Sequence, residues 1–141
     1  PLKFYEDFDV FKIFPLDVGL LGAMTDVPAS QLLVGDNCFT EFKGAFTECY
    51  VNEQLARIQM PTYYFSGNDT EIEIDFAVQT ENRVIPIEVK SEESVRSKSL
   101  KTYIDKNPSL KGLRVSMKNY IDQGWMENIG LYAIEGFLRK A

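Results

Sequence analysis

Residues 71–90 constrain the chain more than any other stretch. Glu71 to Val78 alternates strictly, with Ile72, Ile74, Phe76 and Val78 on one side and Glu71, Glu73, Asp75 and Ala77 on the other. After the polar Thr80-Glu81-Asn82, the run Arg83 to Lys90 alternates again, with Ile85, Ile87 and Val89 against Val84, Pro86, Glu88 and Lys90. A period of two suits a strand and scatters an apolar face around a helix. Two such runs with a short polar joint read as a hairpin. Thr62-Tyr63-Tyr64-Phe65 has the same β-forming character and is followed by the turn composition Ser66-Gly67-Asn68-Asp69, so a three-strand meander is expected.

Helical spacing flanks the meander. In Glu41 to Ile58, Phe42, Ala45, Phe46, Cys49 and Ala56 recur at three- and four-residue steps, and Val51, Leu55 and Ile58 form a second stripe. A helix apolar on two sides is expected to be covered on both. Glu53 falls within the first stripe, an odd place for a carboxylate. Pro61 is expected to end the helix or its loop. Asp17 is a candidate cap for a short helix through Met24, and Gly35-Asp36-Asn37 is a break. Further on, Ser91 to Ser97 reads as a loop, and Leu100 to Lys106 as a helix stopped by Asn107-Pro108. Leu113 to Met117 and Ile129 to Ile134 read as two more strands. The order is that of an α/β fold with a mixed sheet flanked by helices.

A chain of 141 residues can bury about 70% of its unfolded surface in one core. No apolar run approaches the ~20 residues of a membrane helix, and the start has no signal-peptide shape, so a cytoplasmic protein without membrane contact is expected. The chain begins at Pro1 rather than Met, which reads as a fragment of a longer chain. Two cysteines, Cys38 and Cys49, make no disulfide framework, and a reducing compartment is expected. There is no histidine, which excludes His-based triads, His-ligated zinc and His general bases.

Charge is unevenly spread. Residues 1–82 carry 4 Lys+Arg against 14 Asp+Glu, a net of −10, and residues 83–118 carry 9 against 4, a net of +5. The basic third holds Arg83, Lys90, Arg96, Lys98, Lys101, Lys106, Lys111, Arg114 and Lys118. It reads either as a solvated helix with its loops or as a local phosphate-binding stripe.

The candidates for chemistry are Asp75, Glu88 and Lys90. Glu88 and Lys90 are two apart in a strand, so both leave one face, about 6.5 Å apart. A hairpin can set Asp75 beside Glu88. Two close carboxylates repel, and a hard divalent cation relieves the repulsion. Magnesium takes few carboxylates and keeps water and phosphate as its other ligands. A neighbouring Lys can then orient the attacking water and offset charge on the phosphate.

This ordering resembles the PD-(D/E)xK nuclease superfamily, the restriction-endonuclease-like fold. The matching residues are Asp75 in Ile72-Glu73-Ile74-Asp75-Phe76, Glu88-Val89-Lys90 in the next strand, and Glu48 on the first helix. Ile74 stands where the superfamily has its Pro. The chain is similar more closely to the uncharacterised nuclease-like C-terminal domain of prokaryotic AAA-type ATPases. That likeness runs through Phe14-x-x-Asp17-x-Gly19-Leu20-Leu21, Gly44-x-x-x-Glu48-x-Tyr50-Val51-x-x-x-Leu55 and Ser97-x-Ser99-Leu100. It implies Asp75 and Glu88 as Mg²⁺ ligands, Lys90 as the water-activating residue and Glu48 as a residue that assists the metal or positions Lys90. Ser91, Arg96 and Lys98 are candidate phosphate contacts. Residues 1–40 read as a helical and aromatic extension packing on the core and 41–141 as the nuclease-like domain, and the likeness, which runs from about Phe11 to Tyr120, implies a longer ATPase chain.

Two functions follow from the resemblance. One is Mg²⁺-dependent hydrolysis of DNA. The other is a non-catalytic module that binds DNA or protein and targets or regulates the ATPase, with oligomer formation a possibility that the aromatic start (Phe4, Phe8, Phe11) raises.

Overall fold

The meander forms where the alternation places it. β1 (Thr62–Ser66), β2 (Glu73–Gln79) and β3 (Val84–Val89) pair antiparallel in sequence, with Phe76 opposite Ile87 and Val78 opposite Ile85. The computed structural model describes residues 1–26, 28, 30, 40–67, 72–91 and 96–141, with the side chains of residues 40 and 41 left aside. Gly35-Asp36-Asn37, Cys38, the Asn68-Asp69 turn, Glu71 and residues 92–95 of the expected loop lie outside the described residues.

β3 changes partner type across its width. On its far side it pairs in parallel with β4 (Gly112–Ser116), after α3 (Lys98–Lys106) has crossed over. β4 pairs in parallel with β6 (Met126–Gly130), and the two-residue β5 (Ile121–Asp122) edges the sheet. The six-stranded order is β1-β2-β3-β4-β6-β5, a mixed α/β sheet. β3 and β4 are central, and every residue of β4 is buried.

One correction and one resolved alternative concern the ends of elements. The last strand starts three residues earlier than the sequence suggests, and it stops at Gly130 opposite Ser116, where β4 ends. With no strand left to pair, Leu131–Ala133 turns and α4 (Ile134–Leu138) follows, placing Ile134 and Leu138 one turn apart in the core. Of the helix and its loop, it is the loop that Pro61 ends, just before β1, while α2 (Thr40–Arg57) stops ahead of it. Gln59 adopts φ 54°, its N–H bonds to Ala56 O at 2.9 Å, and Met60 N–H reaches back to Leu55 O at 3.0 Å. That is a Schellman ending built without glycine.

α2 docks through Val51 and Leu55, both fully buried, onto Phe76, Val78, Ile87 and Val115. Of its other stripe, Ala45, Ala56 and Phe42 are exposed, while Phe46 meets α1 (Val18–Met24) near Gly22. Asp17 caps α1 as expected, its Oδ1 accepting from Leu20 N at 2.7 Å. On the opposite side, Leu100 and Ile104 of α3 pack with Ile74 and Met126. Gly112 permits this approach, since a Cβ there would lie 3.0–3.1 Å from Leu100.

The alternating residues of β2 therefore do not share one face. Tyr63 pairs with Ala77, yet Phe65 pairs with Ile74, so β2 carries an extra residue between them. This bulge sends Ile74 to the α3 cluster and Phe76 to the α2 cluster. Asp75 sits at the bulge.

Among the described residues, no helix is long and apolar enough to cross a membrane. Residues 1–16 leave much apolar surface in solvent: Phe4, Tyr5 and Phe8 are 84–85% exposed. Leu2, Phe14 and Pro15 are half-buried, and Phe14 stacks on Phe76 at 5.6 Å.

Candidate functional site

The β2–β3 ladder stops at Phe76 and Ile87, where the bulge parts the strands. The Val89 N–H then needs another acceptor, because an unpaired buried amide is costly. Asp75 supplies it: its Oδ2 accepts from Val89 N at 2.7 Å. The acid of β2 is thereby pinned between Glu88 and Lys90 of β3. On the next strand, Lys90 N–H is held by Val115 O at 2.9 Å.

Glu88 is 5% exposed, although it lies in a central strand. Its Oε1 accepts from Lys90 Nζ at 2.8 Å. Its Oε2 is buried with no hydrogen-bond donor among the described residues. Half of a buried carboxylate is thus unsatisfied, which is expensive unless a cation completes it.

Asp75 is electrostatically strained. Burial first, then the negative charges of Glu48 and Glu88, push its carboxyl from 3.8 up to about 6, against the Val89 hydrogen bond and the charge of Lys12. Glu48 on α2 is therefore within the field of Asp75. The four residues implied as a site — Glu48, Asp75, Glu88 and Lys90 — come from α2, β2 and β3 and gather at one end of the sheet. Among the described residues, no three acidic or cysteine side chains close in on a single ion position. Each of the outer carboxylates is instead drawn to an ammonium.

One of those ammonium groups is absent from every motif. Lys12 Nζ lies 3.1 Å from Glu73 Oε1 and 3.5 Å from Glu48 Oε2, and 5.2 Å above the Tyr64 ring. Burial works against its charge, but the hydrogen bond to Glu73 and the charges of Glu48, Glu73 and Asp75 outweigh it and raise its pKa. The only trace in the sequence is a lone base in a stretch crowded with acids.

The remaining candidates spread along the head of α3. Ser91 is half-buried beside Lys90, while Arg96 and Lys98 are exposed on either side of buried Ser97. Arg114 is not part of any surface stripe. It is buried in β4, opposite Glu88 in the register, its Nε donating to Asn128 Oδ1 at 2.8 Å and its Nη1 approaching Ser97 Oγ at 3.5 Å. Burial lowers its pKa, and Glu88 opposes that. Lys101 and Lys111 are held in ion pairs, with Asp105 and with Asp122 and Glu127. The basic tract is thus partly structural.

Residues 43–133 match the model of a family described as a domain of unknown function, DUF4143. The chain belongs to this family. The DUF4143 match takes in Glu48, Asp75, Glu88 and Lys90 and stops short of Lys12. No curated protein and no solved structure is matched.

Proposed function

We propose that this DUF4143 domain is a nuclease-like domain of an AAA-type ATPase chain, hydrolysing DNA phosphodiesters with Mg²⁺. The observation that carries the reading is Glu88: a buried carboxylate with one oxygen tied to Lys90 and the other orphaned, beside an Asp75 whose ionisation is resisted. A cation beside them would relieve both the burial and the mutual repulsion of the two carboxylates. Magnesium fits the donors, because hard oxygens suit it and two carboxylates suffice when water and phosphate complete its shell. Asp75 and Glu88 would hold it, with Glu48 alongside. Such an ion, when bound, would supply Lewis-acid activation of the phosphate and of water. Lys90 orients the attacking water and offsets charge that develops on the phosphate. Arg96, Lys98 and Ser91 take the nucleic-acid backbone, on an α3 head anchored through Ser97 to Arg114.

With Mg²⁺ or Mn²⁺ the chain is expected to cut single-stranded, duplex or branched DNA, and Lys90→Ala is expected to abolish cutting while leaving the circular dichroism unchanged. A clean preparation inert on all three substrates would sink the catalytic reading.

The exposed Phe4, Tyr5 and Phe8 favour a second reading, a non-catalytic module that binds DNA or protein and targets or regulates the ATPase. Sedimentation of the chain against a Phe4→Ser, Phe8→Ser variant tests the self-association this implies. A monomer in both would remove it.

A further inference from the structure

Lys12 reaches the acidic site from outside the motif. It is the group that neutralises Glu48, and Asp75 feels its charge. The segment bearing it is lightly seated. Ile13 and Leu16 are 82% and 83% exposed, and an open groove lies between residues 13–15 and Gly44 and Ala45 of α2. Besides the Phe14 stack and the Lys12 ion pairs, its tie to α2 is a long 3.9 Å contact from Cys49 Sγ to Pro15 O. Salt bridges of such partly exposed groups are exchangeable, because water and ions compete for both partners. The orphaned Glu88 Oε2 leaves one oxygen of the same acidic group without a partner among the described residues.

We infer that Lys12 is the resident counter-ion of the Glu48 carboxylate, and that it and a divalent cation occupy the site in turn. Binding of the ion frees the Lys12 ammonium and loosens residues 10–16. Lys12 is then able to take a phosphate of the nucleic-acid backbone instead. The inference rests on the cation reading proposed above and adds its regulation: the site resists metal until the Lys12 segment lets go.

Titration calorimetry with Mn²⁺ tests it on the wild-type chain, Lys12→Gln and Asp75→Asn. Lys12→Gln is expected to bind Mn²⁺ roughly tenfold more tightly, the scale set by removing one competing charge at about 4 Å. Asp75→Asn is expected to abolish binding. Trypsin gives a second readout, because saturating Mn²⁺ should speed cleavage after Lys12 in the wild-type chain. Equal or weaker binding by Lys12→Gln, with binding still lost in Asp75→Asn, would overturn the counter-ion role and leave the metal site standing. Unchanged cleavage at Lys12 under saturating Mn²⁺ would overturn it as well. Absence of Mn²⁺ binding in both the wild-type chain and Lys12→Gln would take the cation reading down with it.

Discussion

The two faces of the sheet are built on different principles. Toward α2 and α4 the central strands present only hydrocarbon, with Phe76, Ile87, Leu113, Val115 and Ile129 closing on Leu55. Toward α3 the same strands present a row of buried polar groups, Glu88, Arg114 and Asn128, at matched register positions. Within that row the ends differ again. Asn128 uses its whole amide: Oδ1 accepts from Arg114 and Ser116, and Nδ2 donates to Lys118 O and Asn119 O. Glu88 leaves an oxygen unmet. A fully satisfied network stiffens a sheet, while an incomplete one stores a cost that a ligand can relieve. The α2 face of the central strands is therefore closed by hydrocarbon packing alone, while the α3 face adds to its own Leu100 and Ile104 packing a polar row left open at Glu88.

The widest separation between the faces should come from Leu55→Ala. Leu55 is fully buried on the apolar side, and its truncation is expected to cost about 3–4 kcal/mol in urea unfolding, leaving Mn²⁺ affinity unchanged. A loss of affinity matching the loss of stability would mean that the faces are one unit.

Asp75→Asn sharpens the comparison in the opposite direction. The folded chain holds the Asp75 proton more tightly than the unfolded chain does, because burial raises the folded pKa from 3.8 to about 6. Stability therefore falls as pH rises between those values. The penalty is complete above the folded pKa and absent below the unfolded one. Asparagine keeps an acceptor for the Val89 N–H and discards the charge. It is expected to stabilise the chain by about 2–3 kcal/mol near pH 7.5 and by almost nothing near pH 3.5. Urea melts at the two pH values read this directly, and destabilisation near pH 7.5 would show that Asp75 is a structural acid.

How much of this was readable in advance follows range. The meander, the Asp17 cap and the crossover helix depend on neighbours a few residues apart, so alternation and capping residues disclose them. Asp75, Glu88 and Lys90 could be picked out because acids inside apolar strands are anomalous in themselves. The β2 bulge was hidden, since Ile72 to Val78 alternates perfectly as text, and only pairing with β1 forces the extra residue. The end of β6 was hidden for a similar reason, because β4 sets its length from another part of the chain. Lys12 carries no pattern at all. Its partners, Glu48 and Glu73, meet it through tertiary packing that includes the stack of Phe14 on Phe76.

The smallest effect tests whether the polar row is graded from Asn128 to Glu88. Ser116 is fully buried; its Oγ donates to Asn128 Oδ1 at 2.8 Å and accepts from Lys118 N at 3.1 Å. Ser116→Ala removes both bonds but leaves the Arg114 bond to Asn128 and the two carbonyls that hold its amide. The expected cost is about 1–2 kcal/mol, the range for a buried hydrogen-bonding group lost with partial compensation. Mn²⁺ affinity and the position of Lys90 should not follow, because the network beyond Asn128 still closes. If affinity falls with Ser116→Ala, strain must pass through Asn128 and Arg114 to Glu88, and the satisfied end of the row is then part of the site that it borders.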